Sequence, residues 1–294
     1  MTPSDLAAPS ANAPVGIFDS GVGGLSVLRH VRTLLPAEHL VYFADTGFSP
    51  YGDKPEALIV ARALGIAAFL VEHGVKALVV ACNTATAAAI EALRARYPLL
   101  AVVGVEPGLK PAAAASAGRI VGVLATSATL RSARFAQLQA QVTAATGVTF
   151  LLQACPGLAD QIERGELRAP ATARLVAALV TPLLQHGADT LVLGCTHYPF
   201  VTPLIEAVIR RHAAEHTVVL VDTGAAVARQ LEAVLCSAAA LNHGSGSAGQ
   251  ISAFTSGTRS TTEQAFQRLL GEAVGVTAVA SLTAATGAAP LAAI

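Results

Sequence analysis

The sequence predicts an α/β protein built on two doubly wound, mostly parallel sheets, and two observations carry this. Short apolar, β-branched runs alternate with longer helical patterns, the signature of strand–helix–strand units. Two of those runs also end alike, each in a cysteine followed by hydroxyl, amide or imidazole groups. The runs are VGIF (15–18), LVYFA (40–44), ALVVA (77–81), AVVGV (101–105), RIVGVLA (119–125), VTFLLQ (148–153), TLVLG (190–194) and TVVLV (217–221). Helical patterns fall between them, for example at 55–73, 85–96, 131–146 and 172–186. The glycine-rich FDSGVGGLS leads from the first run into a helix containing Val27 and Leu28. GVEPGLKP (104–111) breaks the pattern and is the best hinge. With a return strand near Val218, it predicts a discontinuous first domain, 15–108 plus 218–282, and an inserted second domain, 109–217. Each domain then carries one cysteine strand. Residues 1–14 read as a disordered leader and 283–294 as a flexible tail.

Composition narrows the class. Of 294 residues 53% are hydrophobic and 13% charged, and mean hydropathy is +0.57. A membrane span needs roughly 20 continuous apolar residues. The 19 lysines and arginines are spread along most of the chain and break every apolar run short of that. The charge-free stretch 273–294 is mostly Ala, Gly, Thr and Ser, so no membrane partner is expected. Net charge is zero, and no cluster of Lys or Arg builds the basic face that phosphate neutralisation needs. Nucleic acid is therefore not an expected partner. The first fourteen residues have neither a basic n-region nor a continuous apolar h-region. Four cysteines without an export signal fit a reduced, cytoplasmic protein.

Cys82 follows ALVVA and Cys195 follows TLVLG. Each thiol is expected at the carboxyl end of a buried parallel strand, where open α/β sheets bind ligands, and beside a helix N-terminus, whose dipole favours thiolate. One sulfur on each side of a small molecule supplies a base on one face and an acid on the other, which is the chemistry of stereoinversion at carbon. Pro199 at the expected first helical position puts Thr196 and His197 at the helix entrance. An isolated histidine reads as a cap or core residue. Two residues from a strand-end cysteine, it reads as a group that orients or deprotonates a thiol or steadies a carboxylate.

Other loops also sit at strand ends. Asp19 and Ser20 leave the first strand, and Asp45 resembles the acidic ribose partner of a dinucleotide fold, but Ser26 stands where GxGxxG requires its third glycine. Tyr51 and the Gly52 amide can reach a ligand from a loop that otherwise reads as a surface turn. Thr126 and Thr129 stand at a strand-to-helix junction, where N-capping explains them equally well. Cys155 and Cys236 lack matching polar partners and read as buried thiols without catalytic consequence. None of the three lysines, Lys54, Lys76 and Lys110, has a convincing Schiff-base site. Cofactor-free catalysis is the simpler expectation.

FDSGVGGLSVL, PYGDK, ACNTA, GVEPG, GVLAT, LGCTHYP and FTSG (254–257), in that order over roughly 15–282, resemble glutamate racemase of the aspartate/glutamate racemase superfamily. Aspartate racemases tend to carry GCTE where this chain has GCTH. The resemblance implies two α/β domains related by pseudo-symmetry, with the active site in the cleft between them. It also implies cofactor-independent racemisation of glutamate by two thiols, supplying D-glutamate for peptidoglycan synthesis, in a homodimer. Cys82 would act on D-glutamate and Cys195 on L-glutamate, assisted by Asp19 and His197 respectively. Glu163 looks like the carboxylate behind that histidine, although Ala159-Asp160 replaces the family's usual Val-Pro step. Asp19, Ser20, Tyr51, Gly52, Asn83, Thr84, Thr196 and His197 would hold the substrate, with Thr126 and Thr129 near a carboxylate. Alternatives are a racemase of aspartate or a related amino acid, and a hydrolase with Cys195 as nucleophile and His197 as base, which leaves Cys82 unexplained. A two-lobed receptor for acidic amino acids would share the cleft but not the thiols. A metal site of Cys82, Cys195 and His197 lacks zinc-ligand spacing.

Overall fold

Aliphatic and β-branched side chains fit a pleated surface covered on both faces, so near-continuous apolar runs become central strands of parallel sheets. A computed structural model describes residues 10–212, 217–244 and 248–282. The first elements are β1 (Val15–Asp19), α1 (Leu25–Leu34), β2 (Leu40–Ala44), α2 (Glu56–Glu72), β3 (Ala77–Val80), α3 (Asn83–Arg96) and β4 (Ala101–Gly104). There follow α4 (Leu109–Ala115), β5 (Ile120–Ala125), α5 (Ser127–Arg131), α6 (Ala133–Thr146), β6 (Thr149–Ala154), α7 (Leu158–Glu163), α8 (Pro170–Gln185), β7 (Thr190–Gly194), α9 (Thr202–His212) and β8 (Val219–Val221). The chain closes with α10 (Gly224–Ser237), β9 (Ile251–Thr255), α11 (Arg259–Leu270) and β10 (Val276–Ala278). No helix among the described residues is long and apolar enough to cross a membrane.

The chain forms two units, one of residues 1–105 with 224–294 and one of residues 106–223. The first holds a six-stranded sheet in the order β10-β9-β2-β1-β3-β4, every neighbouring pair parallel. Successive residues of a strand face opposite sides. Phe18, Phe43, Leu78 and Val80 thus join Ile59, Ala63, Ile66 and Leu70 of α2 and Ala85, Ala89 and Leu93 of α3 in one core. On the other side Tyr42 meets Phe266 of α11 edge to face, with ring centroids 5.7 Å apart, and α1 packs on α10 and α11. Arg62 is the exception to the apolar face of α2, being 7% exposed.

The second unit carries a four-stranded parallel sheet, β6-β5-β7-β8. Alternation splits its core in two. Leu124, Leu191 and Leu193 face Ile162, Val176, Leu183 and Ile205 of the α7, α8 and α9 layer. Val121, Val123 and Val192 face Leu109, Ala112, Phe135 and Val142 from α4 and α6.

Three expectations are corrected. The run near Val218 does not return to the first sheet: β8 pairs with β7 through Thr190↔Val219 and Val192↔Val221, so the chain re-enters the first unit only at Gly224. The first unit instead gains β9 and β10. The leader is not disordered throughout, because the Lys76 ammonium donates to the Ala11 carbonyl at 2.6 Å and the Lys76 amide to Pro14 at 2.8 Å. Residues 1–9 of the expected leader and the expected tail, 283–294, lie outside the described residues. Lastly, the helix expected at 131–146 starts at Ala133: Arg131 closes α5, and the Ser132 hydroxyl caps α6 by accepting from the Phe135 amide at 3.2 Å.

Candidate active site

At the carboxyl ends of β1 and β3, Asp19, Ser20 and Cys82 come together. Cys82 is the N-cap of α3, and its sulfur accepts from the Ala85 amide at 3.4 Å. The Cys82 thiol donates to the Ser20 hydroxyl at 3.6 Å, which donates to Asp19 Oδ1 at 3.4 Å. Asp19 is fully buried, and its Oδ2 accepts from the Gly24 amide at 2.8 Å and from Gly21 at 3.3 Å. The glycine turn therefore organises the carboxylate: a Cβ on Gly24 would stand 2.6 Å from the Asp19 Cβ and 2.9 Å from the Tyr42 hydroxyl. Asn83 and Thr84, the first two residues of α3, are each 4% exposed. Neither amide atom of Asn83 has a hydrogen-bond partner among the described residues.

Tyr51 and Gly52, both buried, lie in a short 3₁₀ turn, Tyr51–Asp53. The Tyr51 hydroxyl donates to Asp45 at 2.5 Å. Burial first, then the Asp45 charge and its hydrogen bond, raise the phenol well above its ordinary range, so it stays protonated. Tyr51 and Cys82 share one core cluster.

In the second unit, Cys195 follows β7. Gly194 before it lies so close to β5 that a Cβ there would meet the Leu124 carbonyl at 2.8 Å. The Cys195 sulfur is 3.5 Å from His197 Nδ1, and His197 Nε2 donates to Glu163 Oε1 at 2.6 Å. His197 is 2% exposed. Burial pushes its pKa down, but the Cys195 sulfur and then Glu163 outweigh that and hold the imidazole well above its ordinary range. A thiol, an imidazole and a carboxylate thus form one hydrogen-bonded line, with α7 supplying the carboxylate from 34 residues upstream. Thr172 of α8 steadies the turn after α7, donating to the Gln161 side chain and, at 2.6 Å, to the Glu166 carbonyl. Thr196 is buried beside this line. Thr126 caps α5, its hydroxyl accepting from the Thr129 amide at 3.2 Å and donating to the Thr129 hydroxyl at 2.9 Å.

Of the two thiols read as buried, one is and one is not. Cys236 is exposed on α10, not buried. Cys155 is buried, but it packs in the same cluster as Cys195 and Tyr198. Burial pushes its thiol up to about 12, the Tyr198 hydroxyl partly opposing. Asp45 cannot serve as a ribose acceptor, since Arg62, Tyr51 and Ser256 occupy both its oxygens. Ser256 lay in the FTSG motif without a role of its own, and Arg62 carried no functional signal in the sequence. A lone buried arginine on an otherwise apolar helix face was the available hint.

The sequence pattern of the Asp/Glu/hydantoin racemase family matches residues 19–231. A glutamate racemase from Ectopseudomonas mendocina is 55% identical over 225 residues, 76% of this chain and 83% of that protein. Among solved structures, a glutamate racemase isoform from Bacillus anthracis matches with TM-score 0.80 at 30% identity, covering 92% of this chain and 98% of that one. An Escherichia coli glutamate racemase, solved in complex with L-glutamate, gives 0.74 at 33% identity and covers 90% and 97%. The pattern spans both cysteine strands and the agreement extends from sequence to fold, so this chain belongs to the Asp/Glu/hydantoin racemase family, among its glutamate racemases.

Proposed function

We propose that this chain interconverts L- and D-glutamate without a cofactor, using Cys82 and Cys195 as its two acid/base thiols. The observation that carries the reading is the Asn83 side chain, buried one residue past Cys82 with both amide atoms unpartnered. Such a group costs about 1–3 kcal/mol unless something bonds it, and a substrate carboxylate and ammonium would do so. Family membership and the E. coli relative's complex with L-glutamate support the choice of ligand.

In the L-to-D direction the Cys195 thiolate takes the α-proton. The C–H electron pair passes into a carbanion delocalised toward the α-carboxylate, and the Cys82 thiol delivers its own proton to the opposite face. The turnover leaves Cys195 as thiol and Cys82 as thiolate, the state needed for the reverse reaction. His197, with Glu163 behind it, supports charge on Cys195, and Asp19 with Ser20 serves Cys82. Asn83, Thr84, Tyr51, Gly52, Thr126, Thr129 and Thr196 hold the substrate. In this reading the enzyme works in the cytoplasm as a homodimer and feeds D-glutamate to peptidoglycan synthesis.

The test is early-time turnover in deuterium oxide. Product D-glutamate is expected to carry α-deuterium while L-glutamate recovered at the same low conversion carries almost none. A single swinging base would label both or return the original proton, and a hydrolase would label neither. Comparable turnover of aspartate would move the enzyme to the sister activity.

A further inference from the structure

The six-stranded sheet buries two ion pairs, one at each end. At its amino end Lys76, just before β3, meets Glu38 at 2.6 Å with both side chains fully buried. At its carboxyl end Asp45, just after β2, is fully buried and gripped side-on by Arg62, with Nε at 2.9 Å from Oδ2 and Nη2 at 2.5 Å from Oδ1. Burying two charges costs desolvation that their attraction seldom exceeds, so an apolar pair of similar volume often serves stability as well. The Asp45 pair carries further connections. Each carboxylate oxygen accepts a second hydrogen bond, Oδ2 from the Tyr51 hydroxyl at 2.5 Å and Oδ1 from the Ser256 hydroxyl at 2.6 Å. Ser256, in the FTSG segment, directly follows β9, 211 residues away, and it also accepts from the Gly47 amide at 3.1 Å. The Phe48 ring covers the guanidinium, 3.8 Å from its carbon. One carboxylate therefore fastens together the loop after β2, the Tyr51 turn, α2 and the loop after β9.

We infer that Asp45, Arg62 and Ser256 are positioning residues for the substrate-binding turn beside Cys82: they commit the Tyr51 hydroxyl to Asp45 and fix the Gly52 amide against the bound amino acid. The inference rests on the racemase reading, because only there do Tyr51 and Gly52 touch substrate. Lysine keeps the charge of Arg62 but not the planar fork that meets both oxygens, so R62K is not a conservative change. It leaves one carboxylate oxygen without its guanidinium bond and so loosens the Tyr51 turn, while leaving the thiols alone.

The experiment compares wild type, R62K, S256A and the double variant E38Q/K76M in steady-state racemisation from both enantiomers, with thermal melts alongside. R62K is expected to raise KM for L- and D-glutamate on the order of ten- to a hundredfold, as small displacements of substrate-holding groups do, with kcat changed much less. S256A should raise it less, in the same sense. E38Q/K76M should leave KM unmoved, whatever it does to the melting temperature. Should R62K not fold, S256A still reads KM, and KM unchanged there in folded enzyme overturns the inference. An R62K that melts early but binds like wild type overturns it too, leaving the pair purely structural. Absence of glutamate turnover by wild type would sink the racemase reading and this inference with it, whereas normal wild-type turnover with an unaltered R62K sinks the inference alone.

Discussion

Two kinds of residue surround the candidate thiols, those set by neighbours in sequence and those brought by the fold. Cys195 and His197 are two residues apart, and their 3.5 Å approach follows from a strand ending in a tight turn. Glu163 arrives from another helix and decides how firmly His197 holds its proton. Since Glu163 is among the groups that raise His197, E163Q should lower the imidazole pKa and shift the corresponding limb of the kcat/KM–pH profile to lower pH, with kcat reduced on the order of tenfold or more. An unmoved limb would detach Glu163 from the chemistry. L- and D-glutamate have equal free energy, so kcat/KM must fall equally in both directions, and asymmetry can appear only in kcat, KM and isotope effects. C82A and C195A should each remove on the order of 10³-fold or more of kcat. C236A, on the exposed face of α10, should alter neither rate nor melting. C155A should cost about 1 kcal/mol in a thermal or denaturant melt, because it opens a small void in the Cys195 core.

Strands were legible as elements because a buried parallel strand is a continuous apolar run, but their partners were not. Val219–Val221 looks the same whether it joins one sheet or the other, and only the ladder to β7 decides it. β9 and β10 escaped notice for a local reason: ISAFT alternates weakly and VTA is three residues long, so periodicity offers little to read. The connection among Asp45, Arg62 and Ser256 was hidden likewise, since its bonds span 17 and 211 residues. Strand ends also depend on such contacts. Asp189, at the head of β7, accepts from the Ser116 hydroxyl and the Gly118 amide, each at 2.5 Å, and so pins the turn between α4 and β5. Partial burial raises its pKa, but these hydrogen bonds overcome that and hold it below the ordinary carboxylate value. A depressed folded pKa gives stability that is fully present above about pH 3.9 and is lost as pH falls through the folded value. D189N should therefore melt earlier than wild type at pH 7, with the gap closing only in strong acid. A gap independent of pH would mean that the charge contributes nothing.

For the whole molecule, the two units differ in how the chain builds them. The first is discontinuous, its halves joined by β2 pairing with β9 from Leu40↔Ile251 to Ala44↔Thr255, and it cannot be cut out as one segment. The second runs unbroken through residues 106–223 and keeps an apolar core on each face of its sheet. Its size lies within the range of about 50–250 residues over which single domains fold alone. Expressed by itself, that segment should give a cooperative thermal transition and retain the line from Cys195 through His197 to Glu163, every member of which it contains. It should nevertheless produce no D-glutamate from L-glutamate, because in the proposed mechanism the proton for the opposite face comes from Cys82, which it lacks. Chiral chromatography on the folded fragment checks this directly. D-glutamate formed at rates near those of the whole chain would mean that one thiol suffices, and the two-base mechanism would fail even though the fold and the family stood unchanged.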